Sequence, residues 1–294
     1  MFRSSVIASV CVSILLTTQI PAAAQGDVSA EEATRKVNIA GRQRMLSQRM
    51  AKAACMIAQG ISTDTSYDQM RDALALFEAS DNALRRGDPS VGLQVERAPE
   101  VLTAFADLDP AWDAYRALIE AALENGEVPQ EQLTAFDDAS LQVLRLMNIS
   151  VFQLARTYAD AEVTLEEGQT ITVDVAGRQR MLTQRGVKEA CMMRIADDPM
   201  IYADRLAETV QLFDLSLSAL QIGYEQVGVI AAPAGPIETQ LEEVRNLWNP
   251  IKEVMDRAAA GEVLGRSELA RLQRDTEVLL HEMDRAVGLY EATR

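Results

Sequence analysis

The chain has 294 residues, with 44 acidic and 28 basic side chains, one histidine and three cysteines. A net charge of -16 argues against a nucleic-acid binder, because phosphate recognition needs a positive surface. A hydrophobic content of 48% is enough for a buried core, and few aromatic residues and glycines favour helices over a β-sandwich. One histidine and three cysteines are too few for a zinc cluster or a cysteine–histidine catalytic pair with supporting groups, so we expect no metal, no cofactor and no enzyme activity.

Residues 1–24 have the pattern of a cleaved export signal. Arg3 precedes an apolar run from Val6 to Leu16, and Pro21 is followed by three alanines. The run is short for a membrane span, although an uncleaved anchor is the alternative. We therefore predict a periplasmic protein that does not span the membrane after cleavage.

The remaining sequence consists of one unit written twice. The ten residues Ala40–Arg49 recur as Ala176–Arg185 with one difference, and the offset of 136 continues through Trp112 and Trp248. A constant offset over this length indicates tandem duplication. We predict a first domain over 25–162 and a second over 163–294.

Each copy contains four stretches of helical periodicity separated by glycine and proline. The predicted helices cover about 30–60, 66–86, 99–125 and 130–160, then about 171–196, 200–224, 236–260 and 267–292. Long helices joined by short turns predict an all-α protein of two tandem up-down four-helix bundles. Because the chain enters and leaves such a bundle at one pole, we expect the two first helices to run parallel about a pseudo-twofold axis.

The duplicated motif places a defined set of residues on one face of each first helix. In the first copy this face carries Gly41, Arg44, Met45 and Gln48, and in the second Gly177, Arg180, Met181 and Gln184. Arg49 and Arg185 complete the two motifs. A glycine inside a helix usually permits close approach, so we expect Gly41 and Gly177 to let the helices touch and bring Arg44 and Arg180 together.

The same two segments lack acidic residues. No aspartate or glutamate occurs in 33–63 or in 175–188, although both hold several arginines. Opposed guanidinium groups repel each other unless an anion lies between them, and their geometry suits planar oxyanions. This pattern predicts a small oxyanion site between the first helices. The alternative is an arginine-rich helix that forms salt bridges to its neighbours.

The segment Asn38–Arg49 resembles the signature of the type IV pili methyl-accepting chemotaxis transducer N-terminal domain. It is also similar to the first periplasmic helix of nitrate/nitrite sensor histidine kinases. The resemblance implies a four-helix sensor module in which Gly41, Arg44 and Met45 match one half of a nitrate-binding motif. Gly177, Arg180 and Met181 match the other half, and Arg49 and Arg185 match a second arginine of the signature. Those families usually add a second membrane helix and an output domain, so a free binding protein is expected here.

Cys55 and Cys191 occupy equivalent positions in the two copies. Two buried thiols packed with Met56 and Met192 are one interpretation. A disulfide across the pseudo-twofold axis is the other, since the periplasm is oxidising. Trp112 and Trp248 are predicted core residues.

The functional hypothesis is a periplasmic protein that binds or senses nitrate, nitrite or a similar oxyanion. Its expected partner is a membrane sensor or chemoreceptor, and the two half-sites lie in one chain as an intramolecular pseudo-dimer or are supplied by a homodimer. The alternative is a helical scaffold that docks onto a pilus, chemoreceptor or other envelope protein without a small ligand.

Overall fold

The computed structural model describes residues 28–159 and 167–292, and the predicted export signal lies outside these residues. Within them the chain is helical without β-strands. The long helices are α1 (Ala30–Ala58), α2 (Thr63–Arg86), α3 (Pro99–Asn125), α4 (Leu133–Ala159), α5 (Glu167–Met192), α6 (Pro199–Ile222), α7 (Pro236–Ala259) and α8 (Arg266–Ala292). The prediction of two all-α bundles is confirmed. The main difference is that α5 begins at Glu167, about four residues before the predicted start.

Local sequence explains where the helices begin and end. Ser29 caps α1 by accepting a hydrogen bond from the Glu32 backbone N–H at 3.2 Å. Pro99, Pro199 and Pro236 each occupy the first helical position, where a missing N–H costs nothing. The C-cap Gly87 has φ +76°, a conformation that favours glycine after a helix.

Each copy closes into its own four-helix bundle. In the first bundle α1 packs against α2 and α4, while α3 packs against α2 and α4; the second bundle repeats this arrangement with α5 to α8. The predicted core tryptophans are buried at equivalent places. Trp112 stacks on Phe77 with ring centroids 3.7 Å apart, and Trp248 packs on Phe213 at 4.0 Å.

The two bundles meet through their first helices, which lie side by side. The two helices run parallel, because Asn38 contacts Arg180 and, further along both helices, Cys55 contacts Cys191. A disulfide joins Cys55 to Cys191, with Cα atoms 6.3 Å apart. The structure therefore selects the disulfide over two separate buried thiols. Equivalent residues face each other across the junction, as a pseudo-twofold axis requires.

None of the helices in 28–159 and 167–292 has the length and hydrophobicity that a membrane span requires.

Candidate functional site

Arg44 and Arg180 meet at the α1–α5 junction, as the duplicated motif predicts. The Arg44 and Arg180 side chains are only 1% and 2% exposed, and such complete burial is rare for arginine. A Cβ atom added to Gly177 would lie 3.4 Å from Arg180 Nη2 and 3.9 Å from Arg44 Nη2. The two guanidinium groups therefore converge on one spot beside α5.

The two glycines make room for these guanidinium groups. A Cβ atom at Gly41 would lie 3.1 Å from Arg44 Nη2, so a larger residue would press on the arginine. The Nε atom of Arg44 also donates to the Gly41 carbonyl at 3.4 Å, and Arg180 repeats this contact with Gly177. The expectation that the glycines let two backbones touch is corrected, because the nearest atoms belong to arginine side chains.

Arg44 bridges the two repeats. Its Nη1 donates to Asn148 Oδ1 of α4 at 3.2 Å, and its Nη2 donates to Asp174 Oδ1 of α5 at 2.6 Å. Asp174 also accepts from Arg178, at 2.7 Å between Nη2 and Oδ2. One aspartate of the second repeat is thus shared by an arginine from each repeat.

Arg180 makes the equivalent contacts, but the aspartate belongs to its own repeat and the asparagine to the other repeat. Its Nη1 pairs with Asp284 Oδ1 of α8 at 2.6 Å, and its Nη2 donates to Asn38 Oδ1 of α1 at 2.5 Å. With the offset of 136, Asn38 corresponds to Asp174 and Asn148 corresponds to Asp284. Each arginine therefore contacts one aspartate and one asparagine.

The acid-free segments do not leave these arginines without carboxylate partners. Asp174 lies one residue before the acid-free segment of the second copy, and Asp284 lies on another helix. Folding brings both to the arginines. The salt-bridge alternative is therefore present at this site, and any added anion must share the guanidinium groups with Asp174 and Asp284.

Burial and neighbouring charges shift the pKa values of this pair. Burial lowers the pKa of Arg44, Asp174 opposes that change, and the nearby Arg178 and Arg180 add to it. Burial pushes the pKa of Asp174 upward, but Arg44 and Arg178 outweigh burial and hold it below its usual value. Asp174 is therefore a carboxylate at neutral pH, and it holds two arginines at once.

Comparison with known families identifies the module. A family model described as PilJ, type IV pili methyl-accepting chemotaxis transducer N-term, matches residues 28–137 and again 164–278. The chain belongs to this family. It carries two PilJ modules in tandem, and each is a sensory and signalling module of the chemotaxis type.

A curated relative points the same way. The methyl-accepting chemotaxis protein McpN of Pseudomonas aeruginosa is 30% identical to this chain over 122 residues, which is 41% of this chain. The matched region is 22% of that protein's length, so the likeness concerns one part of it.

The remaining predicted site residues of the PilJ motifs lie away from the two arginines' hydrogen-bonding groups. Met45 and Met181 are buried core residues. Gln48 is buried and donates to the Ser140 carbonyl at 3.0 Å, while Gln184 donates to Thr183 Oγ1 at 3.3 Å. Gln48 therefore links α1 to α4 within the first bundle.

Arg49 and Arg185 are not brought together. Arg49 pairs with Glu277 of α8 at 2.7 Å, and Arg185 pairs with Glu189 one turn along α5 at 2.7 Å. Glu277 also holds the buried Lys52 at 2.7 Å. The second arginine of each motif therefore stabilises a bundle or the junction.

Sequence reasoning missed Asn38, Asn148, Asp174 and Asp284 as site residues. The signal was available in the repeat itself. At the offset of 136, positions 38 and 148 are both asparagine in the first copy, and both become aspartate in the second.

The buried Lys52 makes the stability of the tandem PilJ protein depend on pH. Burial lowers the pKa of Lys52 to about 8, Glu277 opposes the shift, and Arg49 adds to it. Between pH 8 and the ordinary pKa of 10.5, the unfolded chain holds a proton that the folded chain has lost. Stability should therefore rise with pH across this window, by on the order of 1–3 kcal/mol.

Lys52→Met should remove that rise, because Glu277 keeps Arg49 as its partner. Urea unfolding of wild type and Lys52→Met across pH 7 to 10 measures the difference, with the half-exposed Lys252→Met as the matched control. Parallel pH profiles for wild type and Lys52→Met would contradict the prediction.

Proposed function

We propose that this chain is a periplasmic sensory protein that binds a small oxyanion, such as nitrate or nitrite, between Arg44 and Arg180 without catalysing a reaction. The observation that carries the proposal is the convergence of two buried guanidinium groups, one from each PilJ module, beside Gly177. Relatives with an attached output domain would use oxyanion binding to signal. The proposed partner of this chain is therefore a membrane sensor or chemoreceptor.

The local charge balance supports an anion despite the two aspartates. Arg44 and Arg178 pair with Asp174, and Arg180 pairs with Asp284. Burial lowers the pKa of Arg42, and the nearby positive charge of Arg180 lowers it further. Glu291 is a third nearby carboxylate and accepts a hydrogen bond from Asn38 at 2.7 Å, so four guanidinium groups face three carboxylates. Each guanidinium carries five N–H groups, and the contacts of Arg44 leave N–H groups on Nη1 and Nη2 available.

Thermal melts with nitrate, nitrite and chloride test the proposal. A specific ligand should stabilise the fold by about 2.7 kcal/mol at a hundredfold excess over Kd.

Asp174→Asn should strengthen binding by about tenfold or more, because it removes a mostly buried negative charge beside the ligand. Asp284→Asn should have a smaller effect, since the Asp284 side chain is 61% exposed and screened by water.

Arg145→Ala is the matched control, because Arg145 is an exposed arginine on α4 outside the site. Wild type and this control should respond alike. A wild-type melt that none of the three anions shifts would remove the oxyanion proposal.

A second candidate function is docking to an envelope protein. The outward face of α6 exposes Ile201, Leu212, Leu215 and Ile222, with exposed fractions of 51%, 46%, 61% and 80%. Three of their equivalents on α2 are Thr65, Ala79 and Arg86, so this apolar face is specific to the second module. Docking without a small ligand predicts no anion-dependent change in the same melts.

A further inference from the structure

A cavity of about 700 Å³ lies where the two modules meet. It borders the Arg44–Arg180 pair, called the arginine site below, because Asn148 and Asp174 belong to both. It is bounded by the first half of α1, the last half of α4, the first half of α5 and α6. Its walls are mainly apolar, and they include Val37, Val151, Leu154, Val175, Leu212 and Val227. This volume falls in the range of sites that bind small organic molecules, about 300–1,000 Å³.

The pseudo-symmetric position on the other side of the junction is occupied by polar side chains. Where the cavity has Ala155, the other side has Glu291, which accepts a hydrogen bond from Asn38 at 2.7 Å. Where the cavity has Ile171, the other side has Arg35, which donates to the Val91 carbonyl at 3.1 Å. Among the described residues, small and apolar side chains therefore line the cavity at two positions where the other side of the junction carries Glu291 and Arg35.

The charge of the lining also differs between the two sides. Arg156 lines the cavity and is exposed, whereas its equivalent is Ala292. Arg156 forms no hydrogen bond or ion pair with any residue in 28–159 or 167–292. Asp174, the carboxylate in the lining, is already paired with Arg44 and Arg178. Among the cavity-lining residues that the structure describes, the charge without a partner is therefore positive.

We propose that this cavity binds an amphipathic carboxylate, with its alkyl tail against the apolar walls and its carboxylate paired with Arg156. An apolar tail gains free energy with each methylene removed from water, and an arginine fork matches a carboxylate. Asn148 and Asp174 line the cavity and also hold Arg44, so the ligand touches two residues that position the arginine site. The proposal does not depend on oxyanion binding.

Calorimetric titration of the purified chain with straight-chain carboxylates tests this site, with dodecanoate as the main probe and dodecanol as the uncharged control. Affinity should rise about fourfold for each added methylene until the tail fills the cavity. Dodecanoate should bind about tenfold or more tightly than dodecanol. Absence of saturable binding, or equal binding of acid and alcohol, would overturn the proposal.

Two variants locate the ligand. Arg156→Ala should weaken dodecanoate binding about tenfold and leave dodecanol unchanged, whereas Arg145→Ala, an exposed arginine on the same helix, should change neither. Ala155→Glu installs the residue of the other repeat and should abolish binding of both probes. Ala155→Leu narrows the cavity without adding charge and should weaken binding of both probes. Unchanged dodecanoate binding in Arg156→Ala, or an equal loss in Arg145→Ala, would place the ligand elsewhere.

Discussion

Replacing both junction cysteines, as Cys55→Ala with Cys191→Ala, is expected to lower the free energy of unfolding by about 3–5 kcal/mol. The disulfide closes a loop with a sequence separation of 136 residues, so it removes many conformations from the unfolded chain. Both cysteines are fully buried between α1 and α5. The bond therefore ties the first module to the second at the interface that carries the arginine site.

Urea unfolding with and without reductant measures this effect. Reduced wild type should unfold at the same urea concentration as the double variant, and reductant should not change the double variant further. A wild-type midpoint that is insensitive to complete reduction would contradict the expected contribution. Retention of helical circular dichroism by the variant would show that each bundle keeps its fold.

Truncating the two site arginines should have unequal effects, although their positions are equivalent. Arg44→Ala should lower stability by about 3–5 kcal/mol, because it leaves Asp174 mostly buried with Arg178 as its remaining partner. Arg180→Ala should cost about 1–2 kcal/mol, because its partner Asp284 is 61% exposed and can be hydrated. The asymmetry follows from the burial of the carboxylate that each arginine leaves behind.

The double variant Arg44→Ala with Asp174→Asn is the control for this explanation. Relative to Arg44→Ala, the double variant should regain about 1–3 kcal/mol in the free energy of unfolding, because the carboxylate is removed together with its partner. The same urea unfolding measures this difference. If Arg44→Ala and Arg180→Ala are equally destabilising, or if Asp174→Asn restores nothing, the buried carboxylate is not the cause.

The helices and the junction could be predicted from the sequence because both depend on local and repeated patterns. Proline and glycine mark most helix ends, and the nearly identical motifs at Ala40–Arg49 and Ala176–Arg185 place equivalent faces opposite each other. The sequence predicts a later start for α5, because Gly168 and Thr170 are poor helix formers. The structure nevertheless continues the helix through both residues.

The partners of the two arginines could not be predicted by a search within the motif. Asp284 lies about a hundred residues beyond Arg180, and only the packing of α8 on α5 brings them together. The pairing of Cys55 with Cys191 stayed open for a similar reason, since sequence does not give the distance between two helices. The cavity is less predictable still, because its walls come from four helices. It also depends on a small residue, Ala155, at the position where the other repeat has Glu291.

Duplication within one chain allows the two halves of a symmetric interface to diverge. A homodimer would carry the same residue at positions 38 and 174, whereas this chain has asparagine at one and aspartate at the other. The same freedom gives one side of the junction a cavity and fills the other with Arg35 and Glu291.

The stoichiometry of nitrate binding, measured by calorimetry on protein shown by sedimentation to be monomeric, tests the oxyanion site most directly. A site built by two PilJ modules of one chain predicts one anion per chain, with binding lost in both Arg44→Gln and Arg180→Gln. No detectable binding, one anion for every two chains, or dependence on only one of the two arginines would contradict a ligand held between the modules.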